Sequence, residues 1–113
     1  MTPEFDFEKS AEAADLAVER SYAASLSSWR QAARFAAIRV AARGREFTVD
    51  DVWKDLDYRG VEFRPREPRA MGGILRSLAS SGVIHAVGYA KTSQVSGHSR
   101  PISLWKKKEE RVP

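Results

Sequence analysis

The sequence of 113 residues contains no cysteine and only two histidines. Without thiols the chain can form no disulfide bond, no thiolate zinc site and no cysteine nucleophile, so its fold depends on packing alone. His85 and His98 do not form an H-x-x-x-H pair, and no glycine-rich phosphate loop follows a predicted strand. No hydroxyl nucleophile stands beside a base in a known catalytic motif. We therefore expect no enzymatic activity, no metal, no cofactor and no small-molecule substrate.

Long apolar runs are also missing, since no stretch approaches the roughly 18 uninterrupted apolar residues of a membrane span. The chain opens on the acidic segment MTPEFDFEKSAEAAD, whereas a signal peptide opens on basic residues. Hydrophobic residues make up 42% of the sequence and aromatic residues 10%, which is typical of a globular protein with one modest core. We expect a single domain that remains in the cytoplasm and has no membrane partner.

Charge is distributed unevenly along the chain. Residues 1–28 hold two basic and six acidic residues, a net charge of −4, and residues 29–113 hold seventeen basic and nine acidic residues, a net charge of +8. Between Arg64 and Lys108 there are nine basic residues and Glu67 as the one acid, again +8. Such a block suits either a polyanion partner or a solvated basic surface, and the predicted shape must decide between them.

The periodicity of apolar residues predicts two helices in the first 44 residues. The first is amphipathic with an acidic outer face, and its apolar stripe consists of Phe7, Ala11, Ala14, Val18 and Tyr22. We expect Ser27 or Ser28 to end it and to cap a second helix that starts at Trp29 and stops at Gly44. The second helix has one apolar stripe at Trp29, Ala33, Ala36 and Val40 and another at Phe35, Ile38 and Ala42. Two stripes predict a central helix that packs on both sides.

A third helix begins in the segment EFTVDDVWKDLD. Thr48 is a predicted cap for the amide of Asp51, and Phe47 with Val52 fits a hydrophobic staple. The inward-facing residues are then Val49, Val52, Trp53 and Leu56. Because Asp50 and Asp51 complement the helix dipole, the pair has a structural explanation and is not a predicted catalytic or metal site.

The segment EPRAMGGILRSLASSG predicts a fourth helix over residues 68–81. Pro68 suits the first helical position and Gly82 suits the left-handed residue past the end. The inner stripe is Met71, Ile74, Leu75 and Leu78, and the opposite edge is Arg69, Gly73, Arg76 and Ser80. We interpret Gly72 as a site of tight packing against the preceding helix, and Gly73 as a vacancy that lets another backbone approach.

A β-hairpin follows the fourth helix. VIHAVGYA is rich in β-branched and aromatic residues, and RPISLWK alternates with Ile102 and Leu104 on one face. Pro101 cannot donate a ladder hydrogen bond and so belongs at the start of an edge strand. Lone His98 lies in the polar loop between the strands, where it is more often a hydrogen-bond donor than a metal ligand. The fold class is therefore mainly α with a β-hairpin, in the order of a winged helix-turn-helix domain preceded by an extra helix.

Three segments stand in the order FTVDDVW, EPRAMGGILRSLASSGVI and GHSRPISLW. This set resembles the small winged-helix proteins found in actinobacterial phages and prophages, and the resemblance covers roughly residues 29–106. It implies a winged-helix fold, a DNA ligand and, for a phage protein, the host cytoplasm. The sequence departs from the family pattern at Gly73, where a small aliphatic residue is usual, and in the loop AKTSQVSGHS, which has fewer arginines.

The predicted function is DNA binding, as a regulator of transcription or a DNA-transaction accessory. In a winged helix the helix before the hairpin enters the major groove, and the hairpin tip lies on the backbone or minor groove. The predicted contacts from the helix 68–81 and its entrance are Arg64, Arg66, Arg69, Gly73, Arg76 and Ser80. Those from the wing at 90–100 are Lys91, Thr92, Ser93, Gln94, His98 and Arg100.

The predicted organisation is an acidic helix in residues 1–28, a winged-helix domain in 29–106 and a charged tail in 107–113. The acidic helix has three interpretations: it completes the core against Trp29 and Val40, it forms a homodimer, or it shields the basic face until DNA displaces it. The rival function is a protein-interaction module that docks on a host or phage protein, since winged helices also serve in docking. An exposed apolar patch would favour that rival.

Overall fold

A computed structural model describes the backbone of residues 7–91 and 101–109, and the side chains of 13–91 and 101–109. The elements are α1 (Phe7–Ala41), α2 (Val49–Tyr58), α3 (Ala70–Ser80), β1 (Ile84–Lys91) and β2 (Pro101–Lys107). The two strands pair antiparallel. Over these ranges the protein is mainly helical with one hairpin, which confirms the predicted composition of the fold.

α1 is one continuous helix of 35 residues, so the predicted break at Ser27 or Ser28 is wrong. No glycine or proline occurs between Pro3 and Gly44, and eleven of the 35 residues are alanine, the best helix former. Both serines lie exposed on the helix surface. The boundary proposed between residues 28 and 29 therefore falls inside a helix.

Two further expectations for α1 are not met: the first of the three interpretations of the acidic segment, and the packing of both apolar stripes of the second predicted helix. A straight helix cannot fold back on itself, so residues 13–20 do not cover Trp29 and Val40 and are exposed instead. The second stripe is not covered either, because Phe35 is 60% exposed and Ile38 is also exposed. Only the Trp29 stripe is buried, and α1 lies at the side of the domain rather than at its centre.

The core lies between the carboxyl-terminal half of α1, the other two helices and the base of the hairpin. Its largest fully buried side chains are Trp29, Phe47, Val52, Leu56, Met71, Leu75, Leu78 and Ile84. The predicted stripes are confirmed at the buried residues Trp29, Ala33, Ala36 and Val40 of α1, Val52 and Leu56 of α2, and Met71, Leu75 and Leu78 of α3, whereas Val49, Trp53 and Ile74 are only partly buried against this core. Trp29 also lies against Trp53, with ring centroids 5.5 Å apart.

The start of α2 is fastened to both its own first turn and the hairpin. The amide of Thr48 donates to Oδ2 of Asp51 at 2.8 Å. This is the capping-box hydrogen bond in which the side chain of the third helical residue accepts from the backbone of the cap residue. Phe47 and Trp105 exchange two backbone hydrogen bonds of 2.8 Å each, so residue 47 extends the hairpin by one short bridge. These contacts hold β2 against the helices.

α3 begins at Ala70, two residues after the predicted start at Pro68. Glu67 explains the delay, because its carboxylate accepts from the Arg69 amide at 3.1 Å and its carbonyl accepts from the Ala70 amide at 3.2 Å. These bonds form a turn that precedes the helix. The predicted end is confirmed, since Gly82 has a φ of 80° just beyond the last turn.

The hairpin pairs Ile84 with Lys107 at its base and Lys91 with Pro101 at its far end. Its register shifts between Ala86 and Gly88, which adds a bulge on β1. The predicted position of Pro101 at the start of the second strand is confirmed.

Candidate nucleic-acid interface

The outward face of α3 bears the basic and small residues that the sequence predicted there. Met71, Leu75 and Leu78 are buried, so Arg76 and Ser80 on the other side face solvent. Arg69 is exposed at the residue just before the helix. No acidic residue occurs between Ala70 and Ser80. This face therefore presents positive charge and hydroxyl groups to solvent.

The side chain of Arg76 lies back across the two glycines. A methyl group on Gly72 would contact Nη1 of Arg76 at 3.6 Å, and one on Gly73 would lie 3.9 Å from Nη2. Both distances are ordinary van der Waals contacts, and nothing from α2 comes within 4 Å of either position. The interpretation of Gly72 as a tight packing site is therefore wrong. A methyl group at either glycine would meet only the end of the flexible Arg76 side chain, at an ordinary contact distance.

Arg64 is turned away from α3 and towards α2. Its guanidinium forms an ion pair with Asp57 and lies 4.6 Å from the centroid of the Trp53 ring. Nη1 also donates to the carbonyls of Val61 and Phe63, at 3.2 Å each. Arg64 thus anchors the loop between α2 and α3, and a phosphate would have to compete with Asp57 for it.

Arg66 is held by α1. Its Nη1 lies 3.1 Å and 3.3 Å from the carboxylate oxygens of Glu19, and its guanidinium carbon lies 3.9 Å from the centroid of the Tyr22 ring. The amide of Arg66 donates to the Tyr22 hydroxyl at 2.8 Å. One predicted DNA contact is therefore paired with an acid of the amino-terminal half of α1.

A groove runs between α1 and α3 on the side of Gly73. It is lined by Tyr22, Leu26, Arg30, Pro65, Glu67, Ala70, Gly73, Ile74 and Ser77. Arg30 is exposed at this groove, and sequence reasoning missed it because it treated the helix starting at Trp29 as a central packing element. The spacing of Arg30 from Tyr22 and Leu26 on one continuous helix would have indicated it.

The hairpin contributes Lys91, which is exposed at the end of β1. The other predicted wing residues, Thr92, Ser93, Gln94, His98 and Arg100, lie outside the described residues. At the opposite end of the hairpin a second basic groove is lined by Glu46, His85, Val87, Lys106, Lys107, Lys108 and Glu109. Among the described residues of the hairpin, basic side chains therefore occur at both of its ends.

A cluster of arginines that the sequence did not predict surrounds Asp55. Arg39, Arg43 and Arg59 lie 2.6 Å, 3.7 Å and 3.3 Å from the Asp55 carboxylate. With one acid among three bases the cluster has a formal charge of +2. Arg39 and Arg43 are four residues apart, as are Asp55 and Arg59, and this spacing can be read from the sequence. The approach of α1 to α2, which brings the two pairs together, cannot be read from the sequence.

Among the side chains that the structure describes within residues 7–91 and 101–109, no three histidine or acidic groups lie close enough together to hold a metal ion. No helix in the same ranges has the length and apolar character needed to cross a bilayer. Comparisons with protein-family models, with curated proteins and with solved structures gave no match to this chain.

Proposed function

We propose that this protein is a non-enzymatic DNA-binding protein of the winged-helix type. The observation that supports the proposal is the exposed face of α3, where Arg76 and Ser80 face solvent, Arg69 is exposed just before the helix and no acid occurs on the helix. An α-helix fits the major groove of B-DNA, and arginine is the commonest residue to read guanine there. A helix followed directly by a hairpin, as α3 is by β1, is the order found in winged helices.

In the proposed complex the segment 68–81 enters the major groove, and the wing at 90–100 lies on the sugar-phosphate backbone. Gly73 offers a place without a side chain where a DNA backbone can come close. Lys91 stands at the entrance to the wing. Arg64 and Arg66 reach flanking phosphates once these displace Asp57 and Glu19, whose surface ion pairs are each worth about 1 kcal/mol or less.

The cellular role that we propose for this protein follows from DNA as its ligand. A small basic DNA-binding domain suits a regulator of transcription, or an accessory factor in another DNA transaction, of the kind encoded by phages and prophages. Such a protein acts in the cytoplasm of the host cell, where it meets double-stranded DNA.

Fluorescence anisotropy with labelled duplex DNA tests the proposal. Five or six phosphate contacts predict a slope of about −5 in log affinity against log salt, because each neutralised phosphate contributes about −0.9. Replacing Arg69 and Arg76 together by alanine is expected to abolish most of the affinity. Replacing exposed Arg45 and Lys54 by alanine removes the same charge elsewhere and is the control. No binding at low salt, or equal losses in the two double variants, refutes DNA binding through α3.

A second candidate function, docking on a host or phage protein, is favoured by one observation. A groove beside α1 is lined by Ala24, Ser25, Ser28, Trp29, Ala32, Val61, Glu62 and Phe63. Nε1 of buried Trp29 has no hydrogen-bond partner among the described residues. A peptide carbonyl reaching this donor would satisfy it. Phe63→Glu should then abolish capture of the partner protein and leave duplex binding unchanged, whereas Arg69→Ala plus Arg76→Ala should do the reverse.

A further inference from the structure

The arginine cluster around Asp55 has more positive charge than its one carboxylate neutralises. Arg39 makes the closest pair, with Nε and Nη2 at 3.2 Å and 2.6 Å from Oδ2. The nearest nitrogens of Arg59 and Arg43 lie farther from the carboxylate, at 3.3 Å and 3.7 Å. The Asp55 side chain is 5% exposed, whereas those of Arg43 and Arg59 are 59% and 49% exposed. Two guanidinium groups are therefore open to a second, external acceptor, since each carries five N–H donors.

Neighbouring acids do not relieve this surplus of positive charge. α1 has no acid in residues 25–41, the half that carries the cluster. On α2, Asp51 accepts from the amide of Thr48. Among the described side chains, exposed Glu46 and Glu62 form no ion pair with the arginines of the cluster. The surface beside the cluster is thus positive and complementary to an acidic ligand.

An exposed aromatic ring accompanies the arginines on each helix. Phe35 stands four residues before Arg39 on α1, so the two share one side of that helix, and Phe35 is 60% exposed. Tyr58 stands three residues after Asp55 on α2 and is 90% exposed. Arginine and aromatic residues are enriched in protein interfaces and supply many of the residues that dominate binding.

The groove beside α1 that contains Phe63 adjoins these arginines and rings. It is lined on α1 by small residues that include Ala32, one turn before Phe35, and on the following loop by Val61, two residues after Arg59. Glu62 is the one charged residue among those that line it. An apolar groove thus leads to a positively charged end, and a ligand that fills both must be apolar at one end and acidic at the other.

The apolar residues favour a protein ligand over duplex DNA. A guanidinium binds carboxylate and phosphate equally well in geometry, so the arginines alone do not discriminate. A duplex presents phosphates and sugars outward and would leave Phe35 and the apolar groove uncovered. A protein segment with both acidic and apolar side chains covers the rings, the groove and the charges together.

We propose that Arg43 and Arg59, flanked by Phe35 and Tyr58, form a docking surface for an acidic segment of a partner protein. The carboxylates of that segment bind the two arginines, and its apolar side chains lie on the rings and in the groove. Arg39 remains paired with Asp55 when the segment binds. This inference rests on the docking function proposed above, whose partner it specifies, and is independent of DNA binding by α3.

Selection of random short peptides displayed on phage tests the chemistry of the ligand. The immobilised target is the full chain, and the parallel target is the double variant Arg43→Gln plus Arg59→Gln. Peptides enriched on the unmodified chain are expected to combine acidic residues with an aromatic or large aliphatic residue, and to be absent from the selection on the variant. No enrichment, or enriched peptides that lack acids, overturns the proposal.

Fluorescence anisotropy with a labelled synthetic copy of an enriched peptide tests the residues. Arg43→Gln plus Arg59→Gln should weaken binding about tenfold or more, and Phe35→Ser should weaken it as well. The matched control is Arg20→Gln plus Arg34→Gln, which removes the same charge from exposed positions of α1. All variants are compared at unchanged circular dichroism. Equal losses in the two double variants overturn the proposal.

Two further outcomes separate this inference from the functions on which it is built. Peptide binding that is lost in Phe63→Glu and retained in Arg43→Gln plus Arg59→Gln would support docking in the groove and overturn the role of the arginines. A labelled single-stranded oligonucleotide measures the alternative ligand, because unpaired bases also stack on exposed aromatic rings. If the arginine substitutions weaken binding of the oligonucleotide and leave peptide binding unchanged, the surface binds nucleic acid and the proposal is wrong.

Discussion

Nη2 of Arg39 lies 2.6 Å from Oδ2 of Asp55, and this ion pair joins α1 to α2. The Asp55 side chain is 5% exposed and also faces Arg43 and Arg59. Burial removes water from the Asp55 carboxylate, which is energetically unfavourable, and the three arginines offset this desolvation cost. The cluster therefore acts chiefly in the stability of the domain.

Asp55→Asn is expected to lower the free energy of unfolding by about 2 kcal/mol, because it leaves arginines beside a buried neutral amide. Urea unfolding followed by circular dichroism measures this change. Asp57→Asn is the control, since Asp57 is 55% exposed and pairs with Arg64 at the surface. The control should change stability by less than about 1 kcal/mol. Equal losses in the two variants would contradict the structural role of the cluster.

Gly73→Ala and Gly72→Ala should each raise the free energy of unfolding by about 0.5 to 1 kcal/mol, because alanine favours the helix and neither position is crowded. Gly82→Ala should lower it by about 1 kcal/mol, since its φ of 80° is unfavourable for alanine. Thermal and urea unfolding of the three variants measure these signs. A loss of stability in Gly73→Ala would mean that the space beside it is smaller than the structure indicates.

The same variants separate the roles of the two glycines in DNA binding. Gly73 faces the groove beside α1, so a methyl group there should reduce duplex affinity several-fold if the DNA backbone approaches it. Gly72→Ala gives the same gain in helix propensity at a position outside that groove. Fluorescence anisotropy should therefore show weaker binding for Gly73→Ala only, and equal affinities would remove Gly73 from the interface.

Glu19→Gln should strengthen DNA binding if the pairing of Glu19 with Arg66 shields the basic face. A surface ion pair contributes about 0.2 to 1 kcal/mol, so the expected gain in affinity is up to about fivefold. Asp15→Asn removes the same charge from the same half of α1 and serves as the control. Gains of equal size would point to the overall acidity of α1 rather than to release of Arg66.

Local patterns predicted those parts of the fold that are determined by neighbours in sequence. The stripes of α2 and α3, the start of β2 at Pro101 and the stop at Gly82 all follow from periodicity or from backbone restrictions of single residues. The contacts of the site depend on long separations instead. Arg66 meets Glu19 across 47 residues and Arg39 meets Asp55 across 16, and no periodicity encodes such pairs.

The continuity of α1 is the point at which sequence reasoning failed, because serine is suited both to a cap and to the exposed surface of a helix. The two possibilities predict opposite signs for Ser27→Ala and Ser28→Ala. At a cap, loss of the hydroxyl would lower stability by about 1 kcal/mol. Inside the continuous helix, alanine should raise stability by up to about 0.5 kcal/mol through its higher propensity. Circular dichroism and urea unfolding of each single variant should show unchanged or higher helix content, and a marked loss in either would restore the break.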